Sequence, residues 1–153
     1  MKKILISACL CGVNCKYNGG NNFNKDIKTL YDEGKAILIC PEALGGLKTP
    51  RTPREITFGT GIDVLEGRAK VLSKVGVDST IAFIKGAKEA LKIAKENNIK
   101  VAILKAKSPS CGNGYIYNGK FNGKLIEGNG VASELLIKNG IKVYNEKNYK
   151  GEF

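Results

Sequence analysis

Three short apolar runs constrain this chain more than any other feature: Lys3-Ile4-Leu5-Ile6-Ser7-Ala8, Ala36-Ile37-Leu38-Ile39 and Val101-Ala102-Ile103-Leu104-Lys105. Each has the length of a strand and is aliphatic on successive residues, as strands covered on both faces are. Helical patterns separate them. From Asp78, the residues Ile81, Ile84, Ala87, Leu91 and Ala94 form one apolar stripe ending near Asn97-Asn98, with Lys85, Lys88, Lys92 and Lys95 largely outside it. A shorter helix follows Asn24 as N-cap, with Ile27, Leu30 and Tyr31 on one face and Gly34 ending the pattern. Val131 to Lys138 reads as a third helix with Gly140 at its end, and Ile141 to Tyr144 as a last strand. Strands alternating with helices predict an α/β, three-layer, Rossmann-like fold: a mostly parallel sheet with helices on both faces.

Three smaller expectations complete the outline. Glu42 to Glu55 is rich in proline, with Gly45-Gly46 adding flexibility, and reads as a long irregular loop. Ile56 to Val64 and Ala69 to Leu72 read as short strands turning near Glu66-Gly67. Tyr115 to Tyr117 and Lys124 to Ile126 flank Asn118-Gly119 and Asn122-Gly123, favoured type I′ pairs, and predict a small β-hairpin insertion. At 153 residues the whole, 1–153, fits one domain able to bury a core without disulfides.

Beyond each of the three runs stands a cysteine: Cys9, Cys40 and Cys111. Loops at the carboxyl ends of parallel strands share one crevice, so these thiols can meet although far apart in sequence. A lone cysteine is usually a small buried hydrophobe, but packing alone does not call for three in equivalent loop positions beside Gly or Pro. Structural zinc normally takes four ligands in paired Cys-x-x-Cys spacing, which is absent; Cys9, Cys11 and Cys15 are the one local cluster. Three thiolates instead suit a [4Fe-4S] cluster with one iron open to substrate. Glu42, two residues after Cys40, and Ser108, three before Cys111, reach the same crevice and can move a proton or donate a hydrogen bond.

Composition narrows the chemistry further. The chain has no histidine, which excludes Ser-His-Asp and Cys-His nucleophile systems and two-His zinc sites. Five cysteines, an odd number without a secreted framework's spacing, suggest reduced thiols in a cytoplasm. The net charge of +11 admits an RNA partner, but the excess is scattered lysine, with arginine only at 51, 54 and 68. Arg51 and Arg54, stiffened by Pro50 and Pro53, can contact an anion or the edge of a substrate, or simply stabilise a surface loop. Met1-Lys2-Lys3 leading to Cys9 superficially resembles a lipoprotein leader. Its apolar stretch falls short of the roughly 7 to 15 residues needed, and no segment reaches the ~20 that span a membrane. The glycines lack the G-x-G-x-x-G arrangement, so no NAD is expected.

The motifs Ser7-Ala8-Cys9-Leu10, Cys15-Lys16-Tyr17-Asn18-Gly19, Cys40-Pro41-Glu42, Gly45-Gly46-Leu47, Thr49-Pro50-Arg51 and Ser108-Pro109-Ser110-Cys111-Gly112 together resemble the thiouracil desulfurase family across nearly the whole chain. The resemblance implies a [4Fe-4S] cluster held by Cys9, Cys40 and Cys111. Its open iron would capture the sulfur of a thiolated pyrimidine as hydrosulfide, with Glu42 and Ser108 as catalytic residues and no net redox change. The substrate it implies is a small thiolated base; a thiolated base in RNA is the second form to consider. Cys11, Lys16 and Asn18 depart from the family pattern. Cys11 then reads as packing, while Cys15 stays open as spare ligand, sulfur carrier or buried thiol. Two readings outside the family remain: a basic zinc- or RNA-binding module, and a cluster-free enzyme with Cys9 or Cys111 as nucleophile.

Overall fold

The structure, a computed structural model, describes residues 3–152; Met1 and Lys2, which begin the leader-like segment, and Phe153 lie outside the described residues. Strands β1 (Ile4–Ser7), β2 (Ala36–Ile39), β5 (Val101–Ile103) and β8 (Lys142–Tyr144) form one sheet in the order β2-β1-β5-β8. Every pairing in it is parallel. Consecutive side chains point to opposite faces, and both faces are covered. Leu5, Ala102 and Leu104 pack with Ala90 and Ala94 of α4 (Thr80–Glu96) and Leu136 of α5 (Val131–Lys138). Ile6 and Ile103 pack on the other side with Ile27 of α1 (Lys25–Asp32). Asn24 caps α1 as expected, its side chain accepting from the Ile27 amide at 3.2 Å. The order reverses at β1, so the chain leaves that strand for β2 on one side and reaches β5 on the other. A crevice opens at such a switch point.

Several boundaries differ from the sequence expectation. Strand β1 stops at Ser7, and Ala8–Cys11 turn into a 3₁₀ helix. The irregular loop after Cys40 begins with one helical turn, α2 (Pro41–Leu44), because Pro41 at its first position has its φ preset for a helix. Ile56 to Val64 is not a strand. β3 (Arg54–Thr57) ends at Phe58 and Gly59, both at positive φ, and Thr60 opens α3 (Gly61–Leu65) with a reciprocal Asp63 capping box before β4 (Lys70–Ser73) pairs back antiparallel. The hairpin of β6 (Tyr115–Tyr117) and β7 (Leu125–Glu127) forms, but without type I′ pairs. Within its long connection Gly119, Phe121 and Gly123 take positive φ, while Asn118 and Asn122 accept bonds from the amides two residues on.

Gly45 does not supply flexibility. A Cβ there would lie 2.0 Å from the Ala82 carbonyl oxygen, and one on Gly86 would lie 1.9 Å from that of Pro41. The two glycines let α2 lie backbone to backbone on α4. No helix among the described residues is long and apolar enough to cross a membrane.

Candidate active site

Three loops leave the carboxyl ends of β1, β2 and β5 and wall a cavity of about 580 Å³. Cys9 arrives on the 3₁₀ turn after β1, Cys40 as the N-cap of α2, and Cys111 in the loop after β5. Glu42, Ser108 and also Cys15 line the same space. Cys11 does not; it is buried with Ile6, Leu10 and Ile27 on the α1 side of the sheet, in the packing role expected of it. All five cysteines are unpaired.

The loop carrying Cys111 is held by the start of α5. The amides of Val131 and Ala132 donate to the carbonyls of Pro109 and Ser110, and the Ser133 hydroxyl donates to the Cys111 carbonyl at 2.7 Å. These bonds satisfy helix N–H groups that otherwise lack partners. Gly130 permits the contact, since a Cβ there would lie 2.6 Å from the Ser110 carbonyl carbon.

The four thiols in the cavity differ in charge tendency. Burial pushes Cys111 up to about 12, opposed by the Ser7 hydroxyl, which donates to its Sγ at 3.3 Å. Burial also raises Cys9, opposed by a hydrogen bond from the Asn22 amide group at 3.4 Å. Cys40 is lowered to about 6, first by a hydrogen bond from the Cys15 thiol, then by the Ala43 amide and, least, the charge of Arg51, against burial and the opposing charge of Glu42. Cys15 is raised correspondingly. As a thiol, Cys40 donates to the Cys15 carbonyl at a long 3.9 Å. The hydrogen bonds from the Cys15 thiol and the helix-start amide therefore make Cys40 the ionised partner of the pair.

The polar side of the cavity centres on Glu42. Its Oε1 accepts from Arg51 Nε at 3.1 Å, an ion pair with side chains only 16% and 7% exposed, and its Oε2 accepts from the Ser110 hydroxyl at 3.0 Å. The rest of the Arg51 guanidinium donates to the Lys48 and Cys15 carbonyls and the Thr49 hydroxyl. Arg51 is thus held by the protein itself and braces its own loop, one of the two roles the sequence leaves open. Arg54 is bound to Ser79 and Thr52. Ser108 reaches Glu42 through another residue: its Oγ lies 3.3 Å from that of Ser110 and accepts from the Cys111 amide at 2.7 Å. Sequence reasoning missed Ser110, although it stands beside Cys111 in the Ser-Pro-Ser-Cys motif. It also missed Glu55, whose buried carboxylate accepts from the amides of Gly119 and Phe121 and fixes the β6–β7 connection at the cavity edge.

The donor set suits a polynuclear cluster better than a single ion. No three His, Cys, Asp or Glu side chains among the described residues come close enough to hold one metal ion. A [4Fe-4S] cluster takes each thiolate on a different iron, so its ligands stand further apart. Cys9 and Cys111, raised by burial, are poorly suited as free nucleophiles, whereas a bound metal deprotonates a coordinating thiol outright. Hydrogen bonds from Asn22 and Ser7 already reach these two sulfurs, as they do around protein-bound clusters.

Comparison with known proteins gives three matches. The model of a family described as 2-thiouracil desulfurase matches residues 4–148. A Bacillus subtilis (strain 168) protein, described as uncharacterized protein YbbK, is 50% identical over 143 residues, 94% of this chain and 95% of that one. A solved structure described as [4Fe-4S]-dependent thiouracil desulfidase TudS superposes with a TM-score of 0.87 at 38% identity, covering 99% of this chain and 95% of its own.

Proposed function

The chain belongs to the 2-thiouracil desulfurase family, and from that premise we propose that it is a [4Fe-4S]-dependent desulfurase that replaces the sulfur of a thiolated pyrimidine with oxygen. The observation that carries this reading is the convergence of Cys9, Cys40 and Cys111 with Glu42 and Ser108 on one cavity. Residues 1–153 form a single desulfurase domain in this reading, and its unpaired thiols suit a reducing cytoplasm.

Cys9, Cys40 and Cys111 hold the cluster as thiolates. When bound, it supplies an iron without a protein ligand, a soft Lewis acid suited to sulfur. Glu42, fixed by Arg51, accepts a proton from the water that attacks the carbon bearing sulfur. Ser108 presents its hydroxyl to the ring. Thiouracil and water give uracil and hydrogen sulfide, with no oxidant or reductant consumed. The substrate is a small thiolated base in the first instance, and the same base exposed in a thiolated RNA in the second.

Anaerobically reconstituted protein should be brown, contain iron and acid-labile sulfide, and release sulfide from thiouracil as the thione absorbance falls. Cys40→Ser should lose the iron, and Glu42→Gln should keep it while turnover falls by about 10² to 10⁴. A thiolated oligonucleotide assayed in parallel separates the two substrate forms. Colourless protein after careful reconstitution, or iron-loaded protein releasing no sulfide from either substrate, overturns the reading.

A further inference from the structure

Glu42 and Ser108, the two groups assigned to proton transfer and hydrogen bonding, do not touch; Ser110 stands between them. Its Oγ is 3.0 Å from Glu42 Oε2 and 3.3 Å from Ser108 Oγ, and the residue is only 2% exposed. We propose that Ser110 is a positioning residue that joins the Glu42 carboxylate to the Ser108 hydroxyl in one directed hydrogen-bonded row. This rests on the desulfurase reading, and specifically on the roles given there to Glu42 and Ser108.

The direction of the row follows from counting protons. A serine hydroxyl donates once and accepts twice, and an ionised carboxylate only accepts. Ser110 therefore gives its single proton to Glu42, the nearest and charged acceptor, in preference to Cys111 Sγ at 3.7 Å. It must then accept from Ser108, whose oxygen already accepts from the Cys111 amide. While Glu42 is a carboxylate, the Ser108 proton is committed to Ser110 and faces away from the substrate. Once Glu42 has taken a proton from the attacking water, the same contacts are satisfied with the row reversed: Glu42 donates to Ser110, Ser110 donates to Ser108, and the Ser108 proton is free to turn into the cavity. Proton uptake at one residue thus prepares a donor at the other. No atom is gained or lost: the proton removed from water stays on Glu42, and the one turned into the cavity is the Ser108 hydroxyl's own.

The row is braced at both ends. Arg51 fixes Glu42 from the opposite oxygen, and the Cys111 amide fixes Ser108. The amides of Ala132 and Ser133 hold the backbone of Ser110 itself, both donating to its carbonyl. Ser110 is only 2% exposed and its other contact, to Cys111 Sγ, is longer at 3.7 Å, so replacing it by alanine disconnects the two groups.

The test uses reconstituted enzyme with thiouracil and compares Ser110→Ala, Ser110→Thr and Glu42→Gln. Ser110→Ala should keep wild-type iron and sulfide content and hold KM within about twofold, while kcat falls about 10- to 100-fold, part of the full effect of losing acid–base catalysis. Ser110→Thr, which retains the hydroxyl, should recover most of that loss. A crystal structure of metal-free Ser110→Ala should show the Glu42 carboxylate still on Arg51 and Oε2 released. Wild-type kcat in Ser110→Ala overturns the inference, as does Ser110→Thr performing no better than Ser110→Ala. Loss of iron in Ser110→Ala overturns it too, in favour of a role supporting Cys111. If Glu42→Gln retains full turnover, the underlying assignment fails instead, whatever Ser110 does.

Discussion

The segments that carry Cys40 and Cys111 are fastened to the body alike and leave their thiols in opposite electrostatic states. Both rely on glycines that let backbone meet backbone: Gly45 and Gly86 where α2 crosses α4, Gly130 where the 108–112 loop meets the start of α5. Around Cys40 the neighbours are charged or directed: the Cys15 thiol and the Ala43 amide donate to it, and the opposed charges of Glu42 and Arg51 lie beside it. Around Cys111 they are the aliphatic core and neutral hydroxyls. Rigid placement and charge control are therefore separate tasks, met by different residues. The Cys40 side is prepared for an anion before any metal arrives; the Cys111 side needs the metal to ionise it.

Thiol reactivity gives the largest expected contrast. In metal-free protein at pH 7, Cys40 should be mostly thiolate and the first site alkylated, and Cys111 slower by several orders of magnitude. Alkylation of Cys40 should rise through about pH 6 and level off, whereas that of Cys111 should still be rising at pH 10. Equal rates, read by mass spectrometry of the labelled peptides, would break the comparison. The linked stability has opposite signs. Cys40, lowered from an ordinary value near 9, contributes stability that is full above that value and lost as pH falls through about 6. Cys111, raised from the same value, contributes stability present below about 9 and lost as pH rises toward about 12.

Removing the charged partner comes next. Arg51→Ala leaves Glu42 as a nearly buried carboxylate without its cation and frees the Cys15 carbonyl. It should cost about 3 to 5 kcal/mol in denaturant unfolding of the metal-free protein. Arg51→Lys keeps the charge but not the fork that reaches Lys48, Thr49 and Cys15 together, and should recover only part of this. An unchanged midpoint in Arg51→Ala would mean that the Cys40 side is held by backbone contact alone.

The parallel sheet and the meeting of three cysteines were legible because both follow from local pattern: strand-length apolar runs, helical stripes, and loops that a parallel sheet must gather at one end. Cys15 and Ser110 were harder to read. Cys15 reaches the cavity by way of a turn-rich loop tied to Arg51, 36 positions away, and Ser110 meets Glu42 across 68. No periodicity encodes such pairings. Gly45 was misread because a glycine needed for space and one needed for freedom look alike: Gly46 does take a positive φ in open space, but Gly45 lies at an ordinary negative φ, and its close neighbour Ala82 on α4 gives its reason. The misplaced strand after Ile56 did carry a signal. Thr60 and Asp63 have the spacing of a capping box, which outweighed a short apolar alternation.

The glycine contacts test the shared half of the comparison. Gly86→Ala sets a methyl against the Pro41 carbonyl, backbone that cannot step aside, and should cost about 1 to 3 kcal/mol while shifting α2. If Cys40 is ionised by neighbours that travel with α2, its early alkylation should survive the shift. If it depends on the Cys15 and Arg51 contacts from outside α2, alkylation should slow and its pH midpoint should rise.

Ser133→Ala carries the smallest effect and probes the other side most cleanly. The hydroxyl is fully buried and donates to the Cys111 carbonyl at 2.7 Å, touching neither the thiol nor Glu42. Its loss should cost about 1 kcal/mol, the ordinary net worth of one hydrogen bond plus part of the penalty for the carbonyl left behind. The bonds from Val131 and Ala132 to Pro109 and Ser110 remain, so the loop should keep its place. Cys111 should then stay as unreactive as in the parent protein, because its high pKa comes from burial and not from this bond. Faster alkylation of Cys111 in Ser133→Ala would show that the loop opens when one tether is cut, and that the thiol's silence reflects lack of access more than lack of charge.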